Sequence, residues 1–279
     1  MTRDAEKRYL DCLTPAERAW LRTKPLPADE QGRLHRADAA AMREGAEELM
    51  NFCRLLLAVK AAPGERLLDL GGGTGWVARL ALRFGLRPLL VDLAPAMCRA
   101  ARTAEPVAAV PFPVLAADAA LLPLAAESVD LCFFNGALHH CPDPAAVLHE
   151  VRRVLAPGGR LALCEPGEAH AASPAARVAT ERYGVTERGF AAEELLHWLA
   201  QAGFAAARVV PQLADDFALN VDGLASLKRA AALPAAERVV REVAGLAGAG
   251  RGAVVETAAA VVGSAVARLS LQVCVVACR

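Results

Sequence analysis

The part of this 279-residue chain best suited to chemistry is a glycine turn between a strand and a helix, Asp69-Leu70-Gly71-Gly72-Gly73-Thr74-Gly75. A ligand can approach such a backbone closely, because glycine has no Cβ and tolerates positive φ. The helix that follows offers free N–H groups and the positive end of its dipole. The spacing is G-x-G-x-G at Gly71, Gly73 and Gly75, with Trp76 where a dinucleotide fingerprint needs a third small residue. Asp92 follows 21 residues after Gly71, at the end of the next apolar run. An acid at that distance suits a pair of vicinal ribose hydroxyls, since a carboxylate accepts from both. The alternative for Asp92 is a surface cap for the helix at Pro95.

A second set of residues has the chemistry of proton transfer. His139 and His140 follow the apolar run Val129 to Phe134, and imidazole is the side chain suited to take a proton near pH 7. Packing is their alternative role. Glu165 ends a further apolar run and is expected to face a substrate or to sit as a loop carboxylate. His170 and Tyr183 lie in the segment after it, and Tyr9 and Trp20 lie near the start. Cys132, His139, His140 and Cys141 cluster in sequence, but Cys132 is inside a strand and the spacing fits no common zinc pattern, so no metal is expected.

Strands and helices must alternate to place these groups at one edge. Residues 66–70, 87–91, 112–116, 129–134 and 160–164 are short apolar runs, read as buried strands. Residues 74–84, 95–103 and 143–155 between them read as helices, the last capped by Asp143-Pro144 and ended by Pro157-Gly158-Gly159. Continuous apolar strands alternating with helices give a parallel sheet covered on both faces. Ligands of such sheets bind at the carboxyl ends of the strands, which is where the glycine turn, Asp92 and the histidines fall. Thr14-Pro15-Ala16-Glu17 starts a helix with a capping box, and Met42, Ala46, Leu49, Cys53 and Leu56 mark one face of a helix over about 35–60. A helix near 191–201, a strand over 205–210, a helical stretch over 211–263 and a last strand over 269–277 follow.

Composition narrows the function classes. The 31 basic and 31 acidic residues cancel, so there is no charge footprint for nucleic acid or an anionic membrane. No run of about 18 apolar residues exists, and the charged start is not a leader peptide. The eight cysteines are scattered and several lie inside apolar runs, which fits reduced thiols in a cytoplasmic protein.

Four stretches together resemble class I S-adenosylmethionine-dependent methyltransferases of the small-molecule, type 11-like group. They are Leu67 to Gly75; Val91-Asp92-Leu93; Ala117-Asp118-Ala119 with Leu122-Pro123-Leu124; and Asn135 to Pro144 with Leu155 to Gly159. The resemblance implies a Rossmann-like seven-stranded mixed sheet, last strand antiparallel, within a domain over 61–279. Residues 1–60 would form an N-terminal helical cap, and 211–263 a helical insertion over the acceptor pocket. It implies S-adenosylmethionine as cofactor. Asp69 would orient its methionine end, Gly71, Gly73 and Gly75 would form the cradle, and Asp92 and Leu93 would hold ribose and adenine. Asp118 and Ala119 would take the adenine edge, and Asn135 and Gly136 would lie beside the sulfonium. Related sequences often carry Ser where this chain has Ala94, which removes a helix cap worth about 1 kcal/mol.

The expected reaction is methylation of a small-molecule acceptor, chiefly at oxygen, with His139, His140 and Glu165 as candidate catalytic groups. No nucleic-acid or membrane partner is expected, and the sequence leaves the oligomeric state open. Two rivals stand beside this reading. One is a nicotinamide-dependent oxidoreductase, against which Trp76 speaks. The other is a methyltransferase-like binding subunit without turnover.

Overall fold

The computed structural model describes residues 3–26, 39–103, 111–210 and 271–279. The chain divides into two units, residues 1–210 with 272–279 and residues 211–271, and the fold below is that of the first. The expected insertion over 211–263 lies outside the described residues.

Seven strands form one sheet in the order β3-β2-β1-β4-β5-β7-β6. They are β1 (Arg66–Leu70), β2 (Arg87–Asp92), β3 (Val114–Ala116), β4 (Val129–Asn135), β5 (Leu155–Pro166), β6 (Ala205–Val209) and β7 (Gln272–Cys278). β1 to β5 pair in parallel, and β7 runs antiparallel between β5 and β6. The eight α-helices of the described residues are α1 (Arg3–Cys12), α2 (Pro15–Thr23), α3 (Ala39–Ala58), α4 (Trp76–Arg83), α5 (Pro95–Thr103), α6 (Pro144–Val154), α7 (Pro174–Tyr183) and α8 (Ala192–Gln201). No helix among the described residues is long and apolar enough to cross a membrane.

The period of two along each strand divides the core. Leu68, Leu70, Cys132, Phe134, Leu161 and Leu163 pack with α6 and α8 on one face. Leu67, Leu131, Phe133, Ala162 and Cys164 pack with α3 and α4 on the other. Both faces are covered, so the strands read as unbroken apolar runs rather than alternating ones.

Three readings differ from the sequence expectation, the first being that α3 buries Ala41, Gly45, Phe52, Leu55 and Leu56 while Met42, Ala46 and Cys53 of the expected face are exposed. α6 ends at Val154, and Pro157-Gly158-Gly159, expected to stop it, lies inside β5: Val129 faces Leu155 and Leu131 faces Arg160, with a register shift between. Gly158 absorbs the irregularity with φ +75. The N-terminal strand residues 112 and 113 fall outside β3, because Pro111 and Pro113 lack the amide a ladder needs. At the start, Thr14 caps α2 with the expected box: its Oγ1 accepts from the Glu17 amide at 3.2 Å, and Glu17 accepts from the Thr14 amide at 2.6 Å.

Candidate functional site

The carboxyl ends of β1, β2 and β4 open into a cavity of about 550 Å³. The glycine turn forms its floor. Gly71 has φ +65, and a Cβ there would lie 2.3 Å from the Ala137 Cβ, so this glycine lets β1 pack against the turn after β4. Gly73 has φ +53 and faces open space, with no atom within 4 Å of the position of a Cβ. The first glycine serves packing, and the second leaves backbone bare toward the cavity. Gly75 is the N-cap of α4 with φ +88. Trp76 opens that helix, lines the cavity and packs edge-on to Phe52.

Two aspartates end the neighbouring strands. Asp92 Oδ2 accepts from the Gly73 amide at 2.9 Å, and Oδ1 accepts from the Ala94 amide at 2.8 Å. The carboxylate thus ties the glycine turn to the β2–α5 junction. Burial raises the pKa of Asp92, and the two amides oppose that rise. Asp118 Oδ1 accepts from the Ala120 amide at 2.9 Å, and Oδ2 pairs with the Arg3 guanidinium at 2.9 Å. Leu93, Ala119, Asn135 and Gly136 line the same wall. Asn135 Oδ1 is buried there with no hydrogen-bond partner among the described residues. An unpartnered buried carbonyl oxygen costs about 1–3 kcal/mol, and its position on the cavity wall suits a donor on a ligand.

Asp69 and Gly75, both expected at the ligand, do not line the cavity. Asp69 lies beneath the turn, 1% exposed, and its Oδ2 accepts from the Ala78 amide at 3.1 Å. Burial pushes its pKa up to about 7.

Glu165 is also placed differently from its expected outlook on a substrate. It is fully buried and does not line the cavity. Its Oε1 accepts from the amides of Ala137 and Leu138 at 3.1 and 3.0 Å. Its Oε2 meets the His139 amide at 3.2 Å and His139 Nδ1 at 2.8 Å. Four contacts make it the anchor of the turn after β4, with no lone pair left for an acceptor molecule.

The two histidines part company. His139 is buried, with Nδ1 on Glu165 and Nε2 3.5 Å from Glu187 Oε2. Burial alone would lower its pKa, but the hydrogen bonds to Glu165 and Glu187 outweigh burial and raise it to about 9. His140 is pushed down to about 4 by burial and by the charge on His139. Its Nδ1 lies 2.6 Å from the Thr186 carbonyl, which can only accept. The ring is therefore neutral at pH 7 with its lone pair on Nε2. His170 Nε2 bonds Glu187 Oε2 at 2.7 Å. Burial opposes ionisation of Glu187, yet the histidines around it hold its pKa down to about 2.

Helices α1 and α2 supply further lining. Glu6 of α1 lines the cavity, accepts from the Thr186 amide at 2.8 Å, and is raised by burial to about 7. Tyr9 and Trp20 line the cavity as well, and Tyr183 packs edge-on to Tyr9 with its hydroxyl donating to Glu17 at 3.0 Å. Thr74 of the glycine turn donates to the Leu21 carbonyl at 2.5 Å, fastening α2 to the floor. Sequence reasoning missed Glu6 and Glu187. Neither has a motif or period to mark it, and both reach the site only through the packing of α1 and of the segment before α8. Cys132 is buried inside β4. Cys164 and Cys274 face each other across β5 and β7, Sγ to Sγ 3.2 Å, with no disulfide between them.

Residues 68–163 match the family model described as a methyltransferase domain. A malonyl-acyl-carrier-protein O-methyltransferase of Methylococcus capsulatus is 41% identical over 133 residues, covering 47% of this chain and 46% of that protein. The chain thus spans under half the length of that curated relative. An uncharacterized 37.1 kDa protein of transposon Tn4556 from Streptomyces fradiae is 32% identical over 224 residues, covering 72% of this chain and 63% of its own length. Among solved structures, the 4+2 cyclase SpnF has a TM-score of 0.61 at 22% identity, covering 100% of this chain and 97% of that one, a likeness of fold.

Proposed function

We propose, from the premise that residues 68–163 are a class I S-adenosylmethionine-dependent methyltransferase domain, that this protein transfers the cofactor's methyl group to an oxygen of a small-molecule acceptor. One observation carries the reading. The bare turn at Gly73, the Asp92 carboxylate and the unpartnered Asn135 Oδ1 face one cavity. Those are a space only a ligand fills, an acceptor for hydroxyls and an acceptor for an ammonium or amine.

When bound, the cofactor supplies an electrophilic methyl group on a sulfonium. The chain's own residues hold and align it. Asp92 keeps two lone-pair directions free beyond its two backbone partners, enough for two ribose hydroxyls. Leu93 would pack on the adenine. Asp118 would take the adenine amino group and Ala119 would offer its amide to the ring. The bare backbone at Gly71 and Gly73 would make room for the methionine portion, and Asn135 and Gly136 would lie beside the sulfur. Alignment of acceptor and methyl supplies much of the rate in such a displacement.

A hydroxyl acceptor must also lose a proton. Glu6 and His140 Nδ1 are 3.8 Å apart on the cavity wall. A carboxyl raised to about 7 has the proton affinity suited to a general base at neutral pH. We assign proton removal to Glu6, while His140 beside it keeps its Nδ1–H on the Thr186 carbonyl. Glu165 and His139 then serve as the scaffold of the turn rather than as the base. Oxygen as the methylated atom draws support from the name of the Methylococcus relative.

The test has two arms. Calorimetry with S-adenosylhomocysteine should give saturable binding at one site per chain. Incubation with labelled S-adenosylmethionine and a panel of hydroxy and carboxy compounds should yield a product one methylene heavier, with a rate that falls in Glu6→Gln. No binding of either nucleoside would end the reading. Labelled product only from amines or thiols would end the assignment to oxygen.

A further inference from the structure

His139, His170 and Glu187 line the cavity, and one ring nitrogen of each histidine and one carboxylate oxygen of Glu187 all lie within 4.8 Å of one another. His139 comes from the turn after β4, His170 from the turn after β5, and Glu187 from the segment leading into α8. We propose that these three side chains form a site for a divalent first-row transition cation, with its remaining coordination positions open to the cavity.

Ligand geometry supports the trio. Imidazole nitrogen and carboxylate oxygen bind such cations at about 2.0–2.2 Å, which sets neighbouring ligand atoms about 3–4 Å apart. His139 Nε2 to Glu187 Oε2 is 3.5 Å, inside that range. His170 Nε2 to Glu187 Oε2 is 2.7 Å and needs to open by only a few tenths. Two imidazoles and one carboxylate with open positions suit zinc, iron, cobalt or manganese; magnesium, which prefers oxygen ligands, suits them less.

The hydrogen bonds behind the trio support it as well. Ligating histidines usually hand their other ring nitrogen to a carboxylate, which fixes the tautomer. His139 does this: Nδ1 bonds Glu165 Oε2 at 2.8 Å, so in the neutral ring the lone pair is on Nε2. Glu165 is in turn fixed by the amides of Ala137, Leu138 and His139. Charge also balances, since Glu187 and Glu165 together match a dication. His139 Cε1 lies 3.8 Å from the position of a Gly136 Cβ. The cation site therefore adjoins the wall assigned above to the sulfonium. Its use there, as a ligand for the acceptor's oxygen, rests on the methyl-transfer reading; the site itself rests on the trio alone.

The full chain, stripped with chelator and exchanged into chelator-free buffer, is titrated with Co²⁺ alone by visible absorption and with Zn²⁺ alone by calorimetry. One equivalent is expected to bind at micromolar or tighter concentration, with the visible bands of protein-bound Co²⁺. Glu187→Gln and His170→Ala should each weaken it at least tenfold while S-adenosylhomocysteine binding persists as the check on folding. Absence of saturable binding, or equal binding in both variants, overturns the site. Homocysteine-nucleoside binding without cation binding removes this proposal only. Cation binding without nucleoside binding removes the methyl-transfer reading only.

Discussion

Asp92 offers the sharpest test of the cofactor crevice. In the cofactor-free protein its two oxygens each accept one backbone amide, Gly73 at 2.9 Å and Ala94 at 2.8 Å. A carboxylate has about four lone-pair directions, so two remain for ribose hydroxyls. Hydrogen bonds to charged groups contribute about 1.5–3 kcal/mol each. Part of that returns when the freed hydroxyls meet water in the variant. A net loss of about 1.5–3 kcal/mol for the pair corresponds to roughly 10- to 150-fold in affinity. Asp92→Ala also leaves two amides without their partner, which costs about 1–3 kcal/mol of stability. Asp92→Asn keeps one acceptor oxygen and turns an NH₂ toward one of the same amides, so it should fall between wild type and Ala in affinity. Calorimetry with S-adenosylhomocysteine, on protein whose thermal transition stays well above the assay temperature, separates affinity from folding. Affinity within twofold of wild type in both variants would refute this role for Asp92, because no other side chain described at that strand end offers the ribose two acceptors.

Three further outcomes follow from the same geometry. Gly73→Ala should cost only about 1 kcal/mol of stability, for its left-handed φ, yet weaken S-adenosylhomocysteine at least tenfold. Gly71→Ala, whose new Cβ meets Ala137 at 2.3 Å, should cost more stability, about 1–3 kcal/mol; thermal melts ranking the two the other way would break the division of labour between these glycines. Arg3→Ala frees Asp118 from an ion pair whose side chains are 54% and 26% exposed; such a pair contributes at most about 1 kcal/mol, so nucleoside affinity should rise by no more than about fivefold. Weaker binding in that variant would mean that Arg3 helps to hold the ligand. Asp69 is a carboxyl whose folded pKa, about 7, exceeds its unfolded value near 4. Such a group penalises the fold increasingly as pH rises through that window, with no penalty below it. The melting temperature of cofactor-free Asp69→Asn, relative to wild type, should therefore climb between about pH 4 and 7 and then level off; a difference independent of pH would show that Asp69 is not the titrating group.

The linear order of the chain determined the sheet and the cofactor edge. Apolar runs of strand length, separated by capped helices, can bury both faces only as a mostly parallel sheet. That topology sends Gly71, Gly73, Asp92, Leu93, Asp118, Ala119, Asn135 and Gly136 to one cavity wall, because each sits at or just past the carboxyl end of its strand. Local rules sufficed there, since the groups belong to strand–helix junctions whose chemistry is written in adjacent residues.

The other wall was decided by tertiary packing. Glu165 reads in sequence as a carboxylate at a strand end, and only the turn folding back over it shows that its lone pairs are taken. His139 and His140 are neighbours in sequence with opposite pKa shifts, because one ring lies between two carboxylates while the other is buried against a carbonyl and beside that charge. Glu6 and Glu187 are 181 positions apart with no shared pattern, yet both meet at Thr186 and the histidine pair. Electrostatic environment depends on distances across the fold, and no period or spacing along the chain encodes those distances.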